Sequence, residues 1–378
     1  MSIRNNNLGS IVKPGFNALG AQTNVTTYTY ELYSWGKNNL GQLGIGNTTD
    51  RSSPVQIGAL TNWSAIAAGY YHCLAAKTDG TLWSWGYNNN GQLGLGNITY
   101  YSSPKQVGAL TTWSKVAVGH YHSLAIKGGT LWAWGQNSYG QLGIGNTTDY
   151  SSPKQVGALT TWASIAGGGA SMSLAVKTDG TLWVWGLNNT GQLGLGNTTY
   201  YSSPKQVGAL TTWATVAGSN YSGAAIKTSG TLWMWGANGS GQLGLGNTTG
   251  YSSPMQVGAL TTWSKVTCGN SFSGAIKTDG TLWSWGANSS GRLGLGNTTS
   301  YSSPMQVGAL TTWNFVSFGQ SQAMATTSTG SLYAWGAGTS GQLGLGNVTD
   351  YSSPKQVGAL TTWLIASAGA YFSVALKY

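Results

Sequence analysis

Short stretches in which apolar and polar residues alternate run along this chain, most of them bounded by Gly, Asp-Gly or Ser-Ser-Pro. Alternation over five to seven residues is the period of a strand, and no stretch holds the 3.6-residue period of an amphipathic helix. In one representative stretch, Trp113 to Gly119, Ser123 to Lys127 and Thr130 to Trp134 read as three successive strands, A, B and C. Strands B and C are joined elsewhere by Lys-Thr-Asp-Gly, as at Lys77 to Gly80, and Asp-Gly supplies the positive φ values of a tight hairpin. After strand C comes a long connection, such as Asn88 to Ser103, containing Gly-Gln-Leu-Gly-Leu-Gly and then Asn-x-Thr. Pro104 is expected to open a fourth strand, D, over Lys105 to Val107, because proline is tolerated at a strand's start or edge.

This pattern repeats. Trp-Gly pairs fall at Trp35, Trp85, Trp134, Trp185, Trp235, Trp285 and Trp335, 49 to 51 residues apart. A second series, Trp63, Trp113, Trp162, Trp213, Trp263, Trp313 and Trp363, keeps the same period. A third, Trp83, Trp132, Trp183, Trp233 and Trp283, is completed by Tyr33 and Tyr333. These series use all 19 tryptophans, so none is left over for a ligand cage. Four short antiparallel strands cannot bury both faces of one sheet, so neighbouring copies must stack. The pattern begins at strand C (Glu31 to Trp35) and ends with strands A and B (Trp363 to Tyr378). The reading is therefore all-β: a single seven-bladed β-propeller of four-stranded antiparallel blades over residues 30–378, closed by N- and C-terminal strands sharing one blade.

The unit Gly-x-x-His-Ser-Leu-Ala-x-Lys-x-Asp-Gly-x-Leu-Trp-x-Trp-Gly-x-Asn-x-x-Gly-Gln-Leu-Gly-Leu-Gly resembles the regulator of chromosome condensation repeat and covers residues 31–378 in seven copies. The resemblance implies the same propeller. Its family includes a guanine-nucleotide exchange factor for a small nuclear GTPase that binds chromatin, ubiquitin ligases, bacterial inhibitors of secreted enzymes and phage proteins, so fold does not fix function. All seven units are within a residue of equal length, leaving no counterpart of the exchange factor's GTPase-facing insertion and no catalytic residue to carry across.

Composition argues against an enzyme. Charged residues are 6% of the chain, and Glu31 is the only glutamate. Asp79, Asp179 and Asp279 fall in B–C hairpins, and Asp50, Asp149 and Asp350 follow Asn-x-Thr; all have turn roles. No cofactor is expected. His72, His120 and His122 come from adjacent copies and invite a zinc reading, but a structural role is favoured, and no metal site is assigned. Cys73 and Cys268 occupy different repeat positions and are read as unpaired core residues. Gly-Gln-Leu-Gly-Leu-Gly precedes no helix and is not read as a phosphate loop. The recurring Asn-x-Thr at Asn47 and its equivalents reads as backbone capping.

Seventeen basic against seven acidic residues give +10, without a run of three basic residues. Lysines form two rings: Lys77, Lys127, Lys177, Lys227, Lys277 and Lys377 end strand B, and Lys105, Lys154, Lys205 and Lys355 are expected to begin strand D. Separate rings read as solvated edges, so nucleic acid ranks below protein or glycan as partner. No apolar segment is long enough to span a bilayer as a helix, and the N-terminus does not read as a secretory signal.

Antiparallel order puts the A–B turns and C–D loops at one end of the propeller and the B–C hairpins and D–A turns at the other. The D–A turns are nearly uniform, Gly-Ala-Leu-Thr-Thr-Trp in six copies. The A–B turns differ in nearly every copy, and further differences follow the Trp-Gly pair at Lys37, Tyr87, Gln136 and Leu187. The candidate binding residues are Tyr70, Tyr71, His72, His120, Tyr121, His122, Met172, Asn220, Tyr221, Asn270, Phe272, Gln320, Gln322, Tyr371 and Phe372. Drift in exposed turns favours small polar residues, whereas five of the seven turns keep a Tyr, His or Phe, which combine apolar area with hydrogen bonding.

A surface rich in Asn, Thr, Ser and Gly resembles extracellular adhesive proteins, yet no secretion signal is read; release of a virus particle by lysis would reconcile the two. The expectation is a non-catalytic phage virion or tail-associated protein, docked through an N-terminal arm of residues 1–29 and presenting its variable face to a host protein or glycan. The alternative is an intracellular protein-binding regulator, such as a small-GTPase exchange factor or another interaction scaffold.

Overall fold

The computed structural model describes residues 30–169 and 171–378. The segment expected to be a docking arm, residues 1–29, lies outside the described residues. Each repeat forms a four-stranded antiparallel sheet in the order A-B-C-D. Blade 1 consists of Trp63–Ala68, His72–Lys77, Leu82–Gly86 and Tyr101–Gln106, and blades 2 to 6 repeat this order from Trp113, Trp162, Trp213, Trp263 and Trp313. In blade 7, Trp363–Ala368 and Phe372–Lys377 supply strands A and B, while Glu31–Gly36 and Arg51–Gln56 supply C and D. The ring is thus closed by strands from both ends of the chain. Among the described residues the only helical element is a single 3-10 turn at Ser289–Gly291.

Strands A converge on the axis, where neighbours bond laterally. Ser367 Oγ accepts the Ala68 N–H (2.9 Å) and Ser317 Oγ accepts the Ala368 N–H (3.1 Å), joining blades 6, 7 and 1. Strands D lie at the rim and are largely half-buried or exposed.

Strand D differs from the sequence expectation. It runs Tyr101–Gln106, with Pro104 inside it and Lys105 as its fifth residue. Tyr101 pairs with Gly86 and Lys105 with Ser84, so three residues of strand D stand opposite Trp85 alone. Such a bulge in an edge strand breaks the ladder where proline has no N–H to give, which is why Pro104 is accommodated.

The Gly-Gln-Leu-Gly-Leu-Gly segment latches one blade to the next. The Trp185 indole N–H donates to the Gln141 carbonyl of the preceding blade at 2.8 Å, and the equivalent bond occurs at all seven seams. The close approach requires glycine: at Gly143 φ is +73°, and an added Cβ would stand 2.7 Å from Trp185 Nε1. The strand-A tryptophans serve differently. Their indole N–H groups have no hydrogen-bond partner, and they pack edge-on against the Trp-x-Trp rings of strand C. Trp263, for example, lies 6.3 Å from Trp283 and 6.2 Å from Trp285.

The loops sort to two ends. Gly86 pairs with His72, and Tyr87 N–H donates to Tyr71 O, so A–B turns and C–D loops share one end. Trp113 N–H donates to Gly80 O, placing D–A turns with B–C hairpins at the other.

Trp185→Phe removes a buried donor and leaves the Gln141 carbonyl with Ser173 Oγ as its remaining side-chain donor, a loss of about 0.5–1.5 kcal/mol. Gly143→Ala adds backbone strain to steric overlap and should destabilise by at least as much. Both variants should therefore unfold at lower urea concentration than the parent, whereas an unchanged midpoint for Trp185→Phe would show that the latch contributes nothing.

Candidate binding face

In most A–B turns the first two residues reach the surface and the third, which opens strand B, turns inward; Ser171 in blade 3 and Ala370 in blade 7 are buried as well. His72, His122, Met172, Phe272, Gln322 and Phe372 are all 0% exposed. These six sequence candidates are therefore removed from the contact surface; each plugs a seam between blades. Gln322 Nε2 donates to Gly369 O of the next blade at 2.9 Å, and Phe272 stacks on Phe318 at 4.6 Å.

The histidines are held in the same way. Ser123 Oγ donates to Gln92 O (2.8 Å), so it accepts from His72 Nε2 (3.0 Å), which fixes the Nε2–H tautomer. His122 makes the same contact with Ser173 across the next seam. Both Nδ1 atoms are buried without a partner. Burial, reinforced by the neighbouring histidines, pushes the pKa of His72 and of His122 down to about 3. Burial lowers that of His120 to about 4. Among the described residues no group of three His, Cys, Asp or Glu side chains could hold a metal ion.

The surface residues that remain fall into two unlike arcs. On blades 7, 1 and 2 they merge into a continuous aromatic patch. Tyr70 packs on Tyr71 (4.6 Å), His120 (4.4 Å), Tyr121 (5.9 Å) and Tyr371 (6.3 Å). Tyr71 stacks on Tyr371 at 6.4 Å, and Lys37 Nζ lies 5.6 Å from the Tyr371 ring. The C–D loop of blade 1 extends the patch through Tyr87, which meets Tyr121 at 5.8 Å and Tyr100 at 5.0 Å. Burial, with Tyr371 and Tyr71 beside it, raises the Tyr70 pKa to about 12. Its hydroxyl thus stays protonated at neutral pH and can donate.

The opposite arc is amide-rich. Asn220 Nδ2 donates to Asn270 Oδ1 at 3.3 Å, and Arg292 Nη1 donates to the Asn270 and Gln320 carbonyls. Tyr221 stands apart from the aromatic patch at 42% exposure. Tyr100 and Arg292 were missed by sequence reasoning, and both had a signal. Tyr100 shares its repeat position only with Tyr200, where the other copies have Asp, Gly or Ser, and Arg292 is the one Arg where six copies have Gln.

The carboxylates are engaged locally. Asp79 accepts from Thr81 N–H (2.9 Å) and Thr81 Oγ1 (2.7 Å), and Asp50 accepts from Asn38 N–H (2.7 Å). Glu31 pairs with Lys377 at 3.0 Å across the closing blade. Thr49 N–H donates to Asn47 Oδ1, the capping contact read from Asn-x-Thr.

A propeller of seven near-identical blades with this seam chemistry defines a repeat class. The sequence profile of the RCC1-like domain matches residues 18–222, and that of the regulator of chromosome condensation (RCC1) repeat matches residues 229–276, 279–326 and 329–376. The chain belongs to the regulator of chromosome condensation repeat family. Among solved structures, human WBSCR16 is similar at 23% identity and TM-score 0.82, covering 92% of this chain and 98% of its own. Prp20p of Saccharomyces cerevisiae, described with its binding to Gsp1p and histones, is similar at 20% identity and TM-score 0.83, covering 93% of this chain and 92% of its own. The same yeast protein bound to Kap60 is similar at 20% identity and TM-score 0.82, covering 97% and 95%.

These matches correct the expected setting. Solved chains that share this fold over nearly its whole length include a human and a yeast protein, the latter described with Gsp1p, histones and Kap60. They overturn the phage virion and tail-fibre reading, and with it the virion location, host recognition and glycan binding. The low charge and Asn/Thr-rich surface that suggested an adhesive particle protein arise from the repeat itself, whose Asn and Thr cap its loops.

The depressed histidine pKa values set a pH dependence. The folded value lies below the ordinary 6.5, so the stabilisation is complete above about pH 6.5 and is lost as pH falls toward 3. The slope is about 1.4 kcal/mol per pH unit for each ring. His72→Gln with His122→Gln, borrowing the residue that fills this position in blade 6, should lose less stability between pH 7 and pH 4.5 than the parent. Urea midpoints at the two pH values check this.

Proposed function

We propose that this chain is a non-catalytic, intracellular protein-binding scaffold whose contact surface is the variable end of the propeller. The observation that carries the reading is the contiguous patch of Tyr70, Tyr71, Tyr87, Tyr100, His120, Tyr121 and Tyr371. All but the exposed Tyr100 are half-buried against one another, and this packing pre-orders them, so little side-chain entropy is lost on contact. Tyrosine supplies apolar area together with a hydroxyl that hydrogen-bonds, the combination enriched in protein contact surfaces. Yeast Prp20p supports a protein partner, since it is described as binding Gsp1p, histones and Kap60. Asn220, Tyr221, Asn270 and Gln320 form the polar continuation of the same rim, which suits adaptable hydrogen bonding around an aromatic centre.

The test is affinity capture followed by titration of each purified protein that is retained. Tyr71→Ala, Tyr121→Ala and Tyr371→Ala together should weaken binding by roughly a hundredfold or more, since central aromatic anchors each contribute about 2 kcal/mol or more. The parent urea midpoint should be kept within a small margin. A retained partner whose affinity is indifferent to the triple substitution would move the contact surface elsewhere.

A further inference from the structure

The other end of the disc carries a feature that the variable face does not use. Among the described residues, the variable end holds three cations, Lys37, Arg292 and Arg51, the last at the loop-proximal start of its strand D, and three carboxylates, Asp50, Asp149 and Asp350. The opposite end, with the rim strands D, holds ten lysines against four carboxylates. Most of the excess charge of the described chain therefore sits on one side.

Notches between blades recur on that side. The notch between blades 3 and 4 has a volume of about 400 Å³ and is walled by Val207, Leu210, Trp213, Trp233, Pro254 and Lys227. Its equivalent between blades 4 and 5, about 360 Å³, has Leu260, Trp283 and Lys277 in the corresponding places. Leu210 and Leu260, at 49% and 47% exposure, are open to solvent. Lys227 Nζ sits 3.9 Å from the Trp233 ring and 4.9 Å from the Trp213 ring. Its hairpin reads Thr228-Ser229-Gly230, so the Asp that follows Lys77, Lys177 and Lys277 by two residues is missing. Among the described residues no carboxylate forms an ion pair with Lys227.

We propose that these notches form a second, repeated docking surface for an acidic polypeptide segment, each notch taking one large apolar side chain with a carboxylate beside it. The apolar walls take up the side chain, and the ammonium on the wall donates to the carboxylate. Charge complementarity chooses this occupant over the alternatives. A second copy of the chain would bring like charge against like charge. Nucleic acid reads projecting cations, whereas Lys227 Nζ and Lys277 Nζ lie back 3.9 and 3.7 Å from the Trp233 and Trp283 rings. Exposed leucines beside each notch would face phosphate at a loss. Repetition around the disc lets individually weak contacts add through effective concentration. This surface lies at the opposite end from the aromatic patch and does not depend on it.

The probe is a fluorescein-labelled peptide of Leu-Glu-Glu-Gly repeats, followed by anisotropy at about 0.1 M salt, where surface charges still act over roughly 10 Å. The acidic peptide should bind, while its Leu-Lys-Lys-Gly counterpart and a short oligothymidine should not compete. Leu210→Ser with Leu260→Ser, at exposed positions that leave the fold intact, should weaken binding roughly tenfold. Lys227→Gln should weaken it and flatten its salt dependence. The variable-face triple alanine variant should bind the peptide as the parent does. The proposal falls if the acidic peptide fails to bind, if the leucine variant binds it unchanged, if oligothymidine displaces it, or if the triple alanine variant loses it.

Discussion

One hydrogen bond, made at every seam, governs the rest of the molecule. The indole of each Trp-Gly pair donates to a backbone carbonyl in the preceding blade, at 2.8 to 3.0 Å in all seven cases. The indole N–H is buried with no other partner, so an unmade bond would leave a desolvated donor facing nothing, although at four seams a strand-B serine also donates to the carbonyl. Making it demands that a glycine lie under the indole and that the Gly-Gln-Leu-Gly loop hold a left-handed turn. The abundance of glycine and tryptophan in the composition is thus one requirement seen twice. The motif that in another context cradles phosphate here has its backbone turned toward a neighbouring tryptophan.

The seam also explains why the two ends of the disc diverge. With register fixed by the indole latch and by the inward third residue of each A–B turn, the first two residues of most turns have few packing obligations, Ser171 and Ala370 being buried exceptions. His, Gln, Phe, Met and Ser all serve as the plug; His72, Gln322 and Phe272 meet different partners across their seams, whereas Ser222 bonds to Ser219 within its own turn. The outward pair was free to become aromatic on blades 7, 1 and 2 and amide-rich on blades 4 to 6. At the other end the hairpins and D–A turns bond to one another through Gly-Thr contacts of fixed geometry. Gly80, for instance, would place a Cβ 2.3 Å from the Thr111 carbonyl, and uniformity follows.

The period, the four strands, the shared closing blade and the sorting of loops to two ends were all legible in the sequence, because each follows from strand alternation and a 50-residue repeat. What was not legible had a physical reason. Pro104 looked like a strand opener since a bulge cannot be read from residue type alone, and the ladder's break opposite Trp85 appears only in the pairing. The inward turn of His72, Gln322 and Phe372 was hidden because strand B is covered on both faces. Alternation there separates two buried sides instead of inside from outside. Tyr100 and Arg292 were overlooked because they sit in loops that elsewhere carry ordinary capping residues. Function was the least legible, since a surface dominated by structural Asn and Thr resembles adhesive proteins for reasons unconnected with adhesion.

The aromatic patch straddles the closing blade, and this couples recognition to ring integrity. Tyr371 belongs to the A–B turn of blade 7, whose strands C and D come from the other end of the chain and are held there by pairing such as Trp35 with Ser373 and by the Lys377–Glu31 contact. Lys37, over Tyr371, comes from that other end too. A partner that spans Tyr371, Tyr71 and Tyr121 touches blades 7, 1 and 2 together, and therefore binds only the closed ring. By linkage, whatever free energy that partner contributes to binding is added to closure as well. The patch thus lies across the seam where the two ends of the chain meet, and where the stabilisation from a bound partner is most useful to the fold.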